Sequence, residues 1–152
     1  MSFGWSAGDI IAALTLLHKV GTALRDSGGA SSEYQDTSSF LETLSQTLQH
    51  LNALQDTVLD PGIAKNLHDQ CDQIQVPLAV FLNDARRRFG PALGANSKRS
   101  KLFTAPRKIQ WALSTSKKIK QLQGRIAVPM AAITIILGRQ IVYVFSYQKD
   151  VS

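Results

Sequence analysis

Apolar residues recur every three or four positions along most of this chain. The clearest runs are Phe40, Leu41, Leu44, Leu48, Leu51 and Leu54, and then Ile63, Leu67, Cys71, Ile74, Leu78, Phe81, Leu82 and Ala85. Because an α-helix has 3.6 residues per turn, each run lies on one side of a helix, which a folded protein can bury. This periodicity predicts an all-α fold.

The first two helices have start signals at their N-termini. We expect a helix from Ser6 to about Asp26, with Ser6 as its N-cap and Asp9 three residues later near the positive end of the helix dipole. Gly28-Gly29 ends it. A second helix is expected to start at Ser32, with a glutamine at the capping-box spacing.

The third helix is predicted to begin at Asp60-Pro61, an N-cap followed by proline at the first helical position. Residues 90–106 are rich in Gly, Pro, Asn and Ser and predict a connector. A last long helix begins at residues 104–108. Pro77 and Pro129 lie inside the third and last helices and are expected to kink them. The core stripe predicted for the last helix is Ile109, Leu113, Ile119, Leu122, Ile126, Ile133 and Leu137.

The segment IVYVFSY at residues 141–147 is strand-like in composition. We interpret it as helix, because an isolated strand would leave half of its backbone groups without hydrogen-bond partners. The prediction is therefore an antiparallel four- to five-helix bundle with long, proline-kinked helices. The short connections at Gly28-Gly29 and near Asp60 favour antiparallel neighbours. Residues 1–152 are expected to form one domain, excised from a longer protein.

The apolar opening does not resemble a secretion signal. Its first basic residue, Lys19, follows the apolar run, whereas a signal peptide carries positive charge before it. The uncharged stretch from Ile10 to His18 is shorter than the roughly 20 residues that span a bilayer. A single cysteine, Cys71, forms no internal disulfide. These features predict a cytoplasmic protein with a buried first helix.

The charges are segregated along the sequence. Residues 1–84 hold three basic and ten acidic residues, a net charge of −7, and residues 85–152 hold fourteen basic residues and one acid, a net charge of +13. The basic surface predicted from this half comprises Lys98, Arg99, Lys101, Arg107, Lys108, Lys117, Lys118 and Lys120. Such a surface binds anionic lipid, nucleic acid or an acidic partner, or is a solvated face neutralised by the acidic helices of the same fold.

No catalytic constellation is evident. His18, His50 and His68 lack metal-ligand spacing, and the residues SGGAS do not form a phosphate-binding loop. Cys71 lies on an apolar stripe, which is typical of a buried structural cysteine. We therefore expect no enzyme activity and no cofactor.

Three stretches carry a family resemblance. The opening MSFGWSAGDIIAALTLLHKV, the second-helix segment SSEYQDTSSFLETLSQTLQHLNAL and the last-helix segment PRKIQWALSTSKKIKQLQGRIAVPMAAITIIL resemble the N-terminal helical domains of fungal cytosolic proteins. These domains precede nucleotide-binding, kinase, ubiquitin-like or repeat regions and are compared with HeLo and HeLo-like cell-death domains. The resemblance covers nearly the whole chain and implies a helical bundle that self-associates and attacks membranes, with the first helix as effector.

The leading hypothesis is a non-enzymatic signalling module that self-associates or pairs with another helical domain. The alternative is a membrane-targeting or membrane-permeabilising domain recruited to anionic lipid, acting through Phe3, Trp5, Ile10, Ile11, Leu14 and Leu17. Its apolar face is expected to be buried in a resting bundle. Leu14→Glu would be ambiguous because it could also unfold the bundle, so Trp5→Ala is expected to be the cleaner probe of this activity. Nucleic-acid binding is the third hypothesis and the least favoured, since no helix-turn-helix signature is present and aromatic residues for stacking are few.

Overall fold

The computed structural model describes residues 5–28, 32–89 and 105–151. These residues form four helices: α1 (Ala7–Gly28), α2 (Ser32–Ala53), α3 (Pro61–Phe89) and α4 (Ala105–Val151). The described residues contain no strand, and residues 141–147 are helical. The prediction of an all-α helical bundle is confirmed.

The capping signals read from the sequence operate at two helix starts. The backbone N–H of Asp9 donates to Ser6 Oγ at 3.1 Å, and the N–H of Ser6 donates to Asp9 Oδ2 at 3.3 Å, which is a reciprocal capping box. At α3, Asp60 Oδ2 accepts from the N–H groups of Gly62 and Ile63 at 3.1 and 3.2 Å. These bonds satisfy backbone donors that have no partner inside the helix.

The helices α3 and α4 pack antiparallel. Arg88 Nη1 donates to Ser114 Oγ at 2.6 Å, and one turn earlier in α3 Asp84 accepts from Lys118 Nζ, one turn later in α4, also at 2.6 Å. Residue numbers thus fall along one helix as they rise along the other. Extending this pairing places Pro61, the first residue of α3, opposite position 141 of α4.

The helices α1 and α2 are antiparallel as well. The side chain of Gln55, just after α2, donates to the carbonyl oxygen of Trp5, just before α1, at 3.0 Å. At the other end of the pair, Gly21 lies against Leu41. The short connection between these two helices therefore joins antiparallel neighbours, as the sequence predicts.

The connection between α2 and α3 differs from the prediction. Thr37 of α2 bonds Ser116 of α4, and farther along Thr43 and Gln123 line the same groove, so α2 and α4 run parallel. Among the described residues, α2 and α3 make no contact, whereas every other pair of helices does. They are antiparallel but diagonal. Residues 54–60 cross one end of the bundle, and seven residues span up to about 23 Å when extended, enough for such a diagonal.

Among the side chains that the structure describes, which do not include that of Ile109, the core follows the predicted stripes with one exception. All eight apolar residues predicted for α3 are buried, as are the predicted residues of α2 from Phe40 to Leu51, and Leu54 packs partly against them. In α4, Leu113 is 43% exposed, so its place in the predicted stripe was wrong. The reason is angular: Ile119 is six positions later, which puts it about 120° from Leu113 around a helix. Ala112, Thr115 and Ser116 occupy the buried side instead.

The helix α4 is longer than its partners. Its 47 residues correspond to about 70 Å, against about 44 Å for the 29 residues of α3. From the pairing with α3, the last ten or so residues of α4 continue past the start of α3. Both helices run uninterrupted through Pro77 and Pro129. The kinks expected at these prolines stay a prediction.

Candidate functional site

The apolar face of α1 is buried, as expected for a resting bundle. Ile10 and Leu17 are 0% and 1% exposed, and Leu14 is partly buried against the core. Ile11, the residue that widens this face, is 54% exposed. Phe3 lies outside the described residues. An effector role for α1 would therefore require the helix to leave the bundle, which exposes the core.

Trp5 belongs to the core. Its side chain is 5% exposed, and its carbonyl oxygen accepts the bond from Gln55 that ties the start of α1 to the end of α2. Within the described part of the chain, its indole Nε1 has no hydrogen-bond acceptor. The expectation that Trp5→Ala would be the cleaner probe was wrong, because removing a buried indole typically costs about 3–5 kcal/mol. Among the predicted effector residues that the structure describes, the exposed Ile11 can be changed without opening the core.

The lysines of the predicted basic surface point in different directions. Lys118 reaches Asp84 on α3, Lys120 lines a groove with Asp36 of α2, and Lys117 between them is exposed. Part of the positive charge is therefore compensated inside the fold. The groove beside Lys120 has a volume of about 550 Å³ and is also lined by Ser39, Phe40, Thr43 and Gln123. It is wide open, and all of its lining residues except Phe40 are polar or charged.

Asp84 is the centre of an ionic cluster that joins the end of α3 to α4. Besides Lys118, it contacts Arg88 Nε at 3.3 Å and Arg87 at 3.9 Å. The hydrogen bond from Lys118 is the main reason why the pKa of Asp84 is lowered, and the neighbouring arginines lower it further against the effect of burial. Three cations around one carboxylate leave the cluster positive.

Other predicted basic residues are only partly placed. Arg107 and Lys108 lie in the first turn of α4. Lys98, Arg99 and Lys101 lie outside the described residues. Their contribution to a basic surface stays a prediction.

The second half of α4 presents an uncharged outward face. This face, which we call the α4 outward face, comprises the exposed residues Gly124, Ala127, Val128, Ala131, Thr134, Ile135 and Gly138. Val128 and Ile135 are 76% and 66% exposed, and a side-chain carbon added at either glycine would meet nothing within 4 Å. Arg125 and Arg139 border it, with no charged residue between them. The sequence signal was available, since Val128 and Ile135 are seven positions apart and off the buried stripe.

A second exposed apolar pair lies on α3. Val76 and Val80, four residues apart, are 68% and 57% exposed. The exposed carboxylates of Asp69 and Asp72 precede them on the same side of the helix, with side chains 56% and 52% exposed. We call these four residues the α3 outward face. The apolar periodicity of the sequence did not indicate this face, because Val76 and Val80 lie outside the regular core stripe of α3.

Polar groups inside the bundle have structural roles. Thr37 Oγ1 and Ser116 Oγ are 3.0 Å apart and buried, which links α2 to α4. Burial raises the pKa of the Cys71 thiol to about 12, with a smaller contribution from the nearby carboxylate of Asp72. Such a thiol is protonated at neutral pH and is a poor nucleophile.

Acidic, histidine and cysteine side chains do not gather into a metal-binding group in the part of the chain that the structure describes. His68 is the histidine with acidic neighbours, and its Nδ1 lies 3.4 Å from Asp72 Oδ2 one turn away, on an exposed surface. This arrangement is an ordinary i, i+4 surface pair.

Two helices in the described residues are long and apolar enough to cross a membrane by length and composition. They are Ala7–Asp26, with a mean hydropathy of 1.3, and Gln110–Arg139, with a mean hydropathy of 1.2. The short uncharged runs in the sequence therefore did not exclude membrane compatibility by this measure. About a third of each window is buried in the bundle, 33% in both, and core helices of soluble proteins meet the same criterion.

No protein-family model and no curated protein matches this sequence, and no solved structure matches its fold. The resemblance to HeLo-like domains thus stays a prediction.

Proposed function

We propose that this chain is a non-enzymatic helical module that acts in the cytoplasm by binding protein, first of all by self-association. The observation that carries the proposal is the α4 outward face. Soluble helices normally place charged or polar residues on the side opposite the core. Here thirteen consecutive residues between Arg125 and Arg139 have no charge, and the outward ones leave valine and isoleucine in water.

Burying such a face against a protein surface gains hydrophobic free energy, at about 25 cal/mol per Å² of apolar area removed from water. The small residues of the face, two glycines and two alanines, allow another helix to approach closely. Arginines at its two borders suit the rim of an interface, where they select an acidic partner and orient it. Contiguous exposed apolar surface of this kind marks interaction sites.

The test is the molar mass of the purified chain over a range of concentrations, measured by sedimentation velocity. Wild type should associate as its concentration rises. Ile135→Asp should weaken association at least about tenfold, because it buries an unpaired charge in the interface. Ile11→Asp is the matched control: it changes another exposed isoleucine on α1, outside the proposed face, and should leave association unchanged.

A wild-type chain that stays monomeric at all concentrations, alone and with candidate helical partners, would contradict the proposal. Equal effects of Ile135→Asp and Ile11→Asp would also count against it, since they would indicate a general effect of surface charge. Circular dichroism and thermal melting of each variant check that both remain folded.

A specific observation also favours a second candidate function, binding to an anionic membrane surface. The helix α4 carries no acidic residue from Ala105 to Lys149, so cations alone flank its outward face. An apolar helix face bordered by Lys and Arg is typical of helices that lie in the membrane interface. Each cation near an anionic leaflet contributes about 1 kcal/mol.

Membrane binding would differ from the alternative predicted from the sequence, because α4 contacts lipid while α1 stays in the core. Sedimentation with vesicles of mixed anionic and zwitterionic lipid tests it. Binding should weaken at high salt and with Arg125→Glu/Arg139→Glu, and the Ile11→Asp control should bind as wild type does. Binding lost in Ile11→Asp but retained in the double arginine variant would instead assign membrane contact to α1.

A further inference from the structure

We propose that the partner of the α4 outward face is the α3 outward face of a second copy of this chain, so that the self-association is head-to-tail. This inference rests on the proposed function and names its partner surface. Two different surfaces on each copy would then form one interface.

The two faces match in chemistry. Of the five large apolar residues exposed in the described parts of α3 and α4, two lie on the α3 outward face, two lie on the α4 outward face, and Leu113 lies on neither. The valines of α3 are accompanied by two exposed carboxylates, and the α4 outward face is bordered by arginines. Pairing α4 with a second α4 would instead bring cations against cations, which disfavours association.

The spacing of the residues sets a register. Ile135 and Arg139 are four residues apart in α4, and Val76 and Asp72 are four residues apart in α3, in the opposite order. In an antiparallel crossing, Ile135 therefore lies opposite Val76 when Arg139 lies opposite Asp72. Asp72 also contacts His68, but about half of its side chain is exposed and available to an arginine.

The same register continues along the two helices. Ala131 lies opposite Val80, so a small residue receives the larger one. Farther along, the register sets Arg87, whose side chain is 81% exposed, against Gly124 and beside Arg125, so the favourable pairing ends before this point. The match thus extends over about two turns of each helix, from Arg139 to Ala131.

Head-to-tail association has a symmetry consequence. In a two-fold dimer the same two copies would form both contacts, α3 with α4 and α4 with α3, whereas a head-to-tail contact leaves each bound copy with one face still free. The complex then grows by addition of further copies, unless the rotation between copies closes a ring. Wild type should therefore form a series of species larger than the dimer as concentration rises.

The deciding experiment mixes two variants, each with one face blocked. Val76→Asp disables the α3 outward face, and Ile135→Asp disables the α4 outward face. Each variant alone should be monomeric at a concentration where wild type associates. Their equimolar mixture should form a 1:1 dimer and nothing larger, because one intact face of each kind remains. Sedimentation velocity resolves these species.

The other outcomes are distinct. If wild type itself never associates, the proposed function fails. If wild type associates but Val76→Asp does so equally well, or if the mixture stays monomeric, self-association stands and the head-to-tail inference is overturned.

A charge exchange provides a second test that does not place a charge in the apolar part of the interface. Arg139→Asp and Asp72→Arg should each weaken association about tenfold or more, since each sets like charges against each other. The chain that carries both substitutions should recover most of the lost association. No recovery in a folded double variant would contradict the pairing of these two residues.

Discussion

Two neighbouring isoleucines in α1 provide a matched test of how this helix is held. Ile10 is 0% exposed and Ile11 is 54% exposed. They share residue type and lie one position apart in the same helix, so helix propensity affects both substitutions equally. We predict that Ile10→Ala strongly destabilises the bundle and that Ile11→Ala does not.

The magnitude follows from what each substitution removes. Isoleucine to alanine deletes three carbon atoms, worth about 2.4 kcal/mol when fully buried, at ~0.8 kcal/mol per methylene. The cavity left in the core raises the cost of Ile10→Ala to about 3–4 kcal/mol. At Ile11 the atoms are half in water already, and the better helix propensity of alanine offsets part of the loss. The expected change there is within about 0.5 kcal/mol.

The assay is urea denaturation at neutral pH, followed by the helical circular dichroism signal. The free energy of unfolding should differ between the two variants by about 3 kcal/mol, which is a large fraction of the stability of a domain this size. Similar losses in both variants would refute the packing of α1 described above. A larger loss for Ile11→Ala would mean that the helix presents its other side to the core.

Three further predictions concern the polar groups. Asp84→Asn should destabilise the fold by about 1 kcal/mol at neutral pH by weakening the bond to Lys118. The pKa of Asp84 is lowered in the folded state. Its contribution to the free energy of unfolding is therefore present above the unfolded pKa of about 3.9 and is lost as the pH falls through the folded pKa. The free energies of unfolding of wild type and Asp84→Asn should therefore converge in acid. Thr37→Val and Ser116→Ala should each lower the free energy of unfolding by about 1 kcal/mol or more. A double-mutant cycle in denaturant should give a coupling free energy above zero. Additive losses would argue against the 3.0 Å hydrogen bond between the two hydroxyl groups. The Cys71 thiol, with its pKa raised to about 12, should react with iodoacetamide only as fast as the protein unfolds, and rapid labelling of the native protein would contradict its burial.

Local signals predicted the helices well because each signal acts over one or two turns. Ser6 with Asp9, and Asp60 with Pro61, satisfy backbone groups within three residues of themselves, so no distant part of the chain is needed to read them. The buried stripe of α3 was equally direct, since its apolar spacing is regular from Ile63 to Ala85.

The arrangement of the helices was less predictable. A short connection indicates antiparallel direction, but it does not decide whether two helices are adjacent or diagonal. Residues 54–60 are long enough for either, and in the structure α2 and α3 pack against α1 and α4 and not against each other. Leu113 was misplaced for a related reason, because its spacing to Ile109 fits one stripe and its spacing to Ile119 does not.

The candidate surfaces depended on tertiary structure. Periodicity separates a core side from an outer side only when one of them is polar, and the second half of α4 is apolar all round. The predicted stripe through Ile126 and Ile133 leaves Val128 and Ile135 outside it, but only the packing shows that no other helix covers them. Likewise, Lys118 was predicted to belong to a basic surface, but it bonds Asp84, which lies 34 positions earlier in the sequence and next to it in the structure.

The most direct test of the proposed self-association is disulfide cross-linking between Val76→Cys and Ile135→Cys chains. Both positions are exposed, and the buried Cys71 needs no replacement. At concentrations where wild type associates, mild oxidation of the mixture should give a cross-linked heterodimer that contains one chain of each variant. Either variant oxidised alone should give little cross-linked product, because its cysteine lies opposite a residue that has no thiol. A dimer of Ile135→Cys alone, or no cross-link in an associating mixture, would contradict the pairing of the α3 and α4 outward faces.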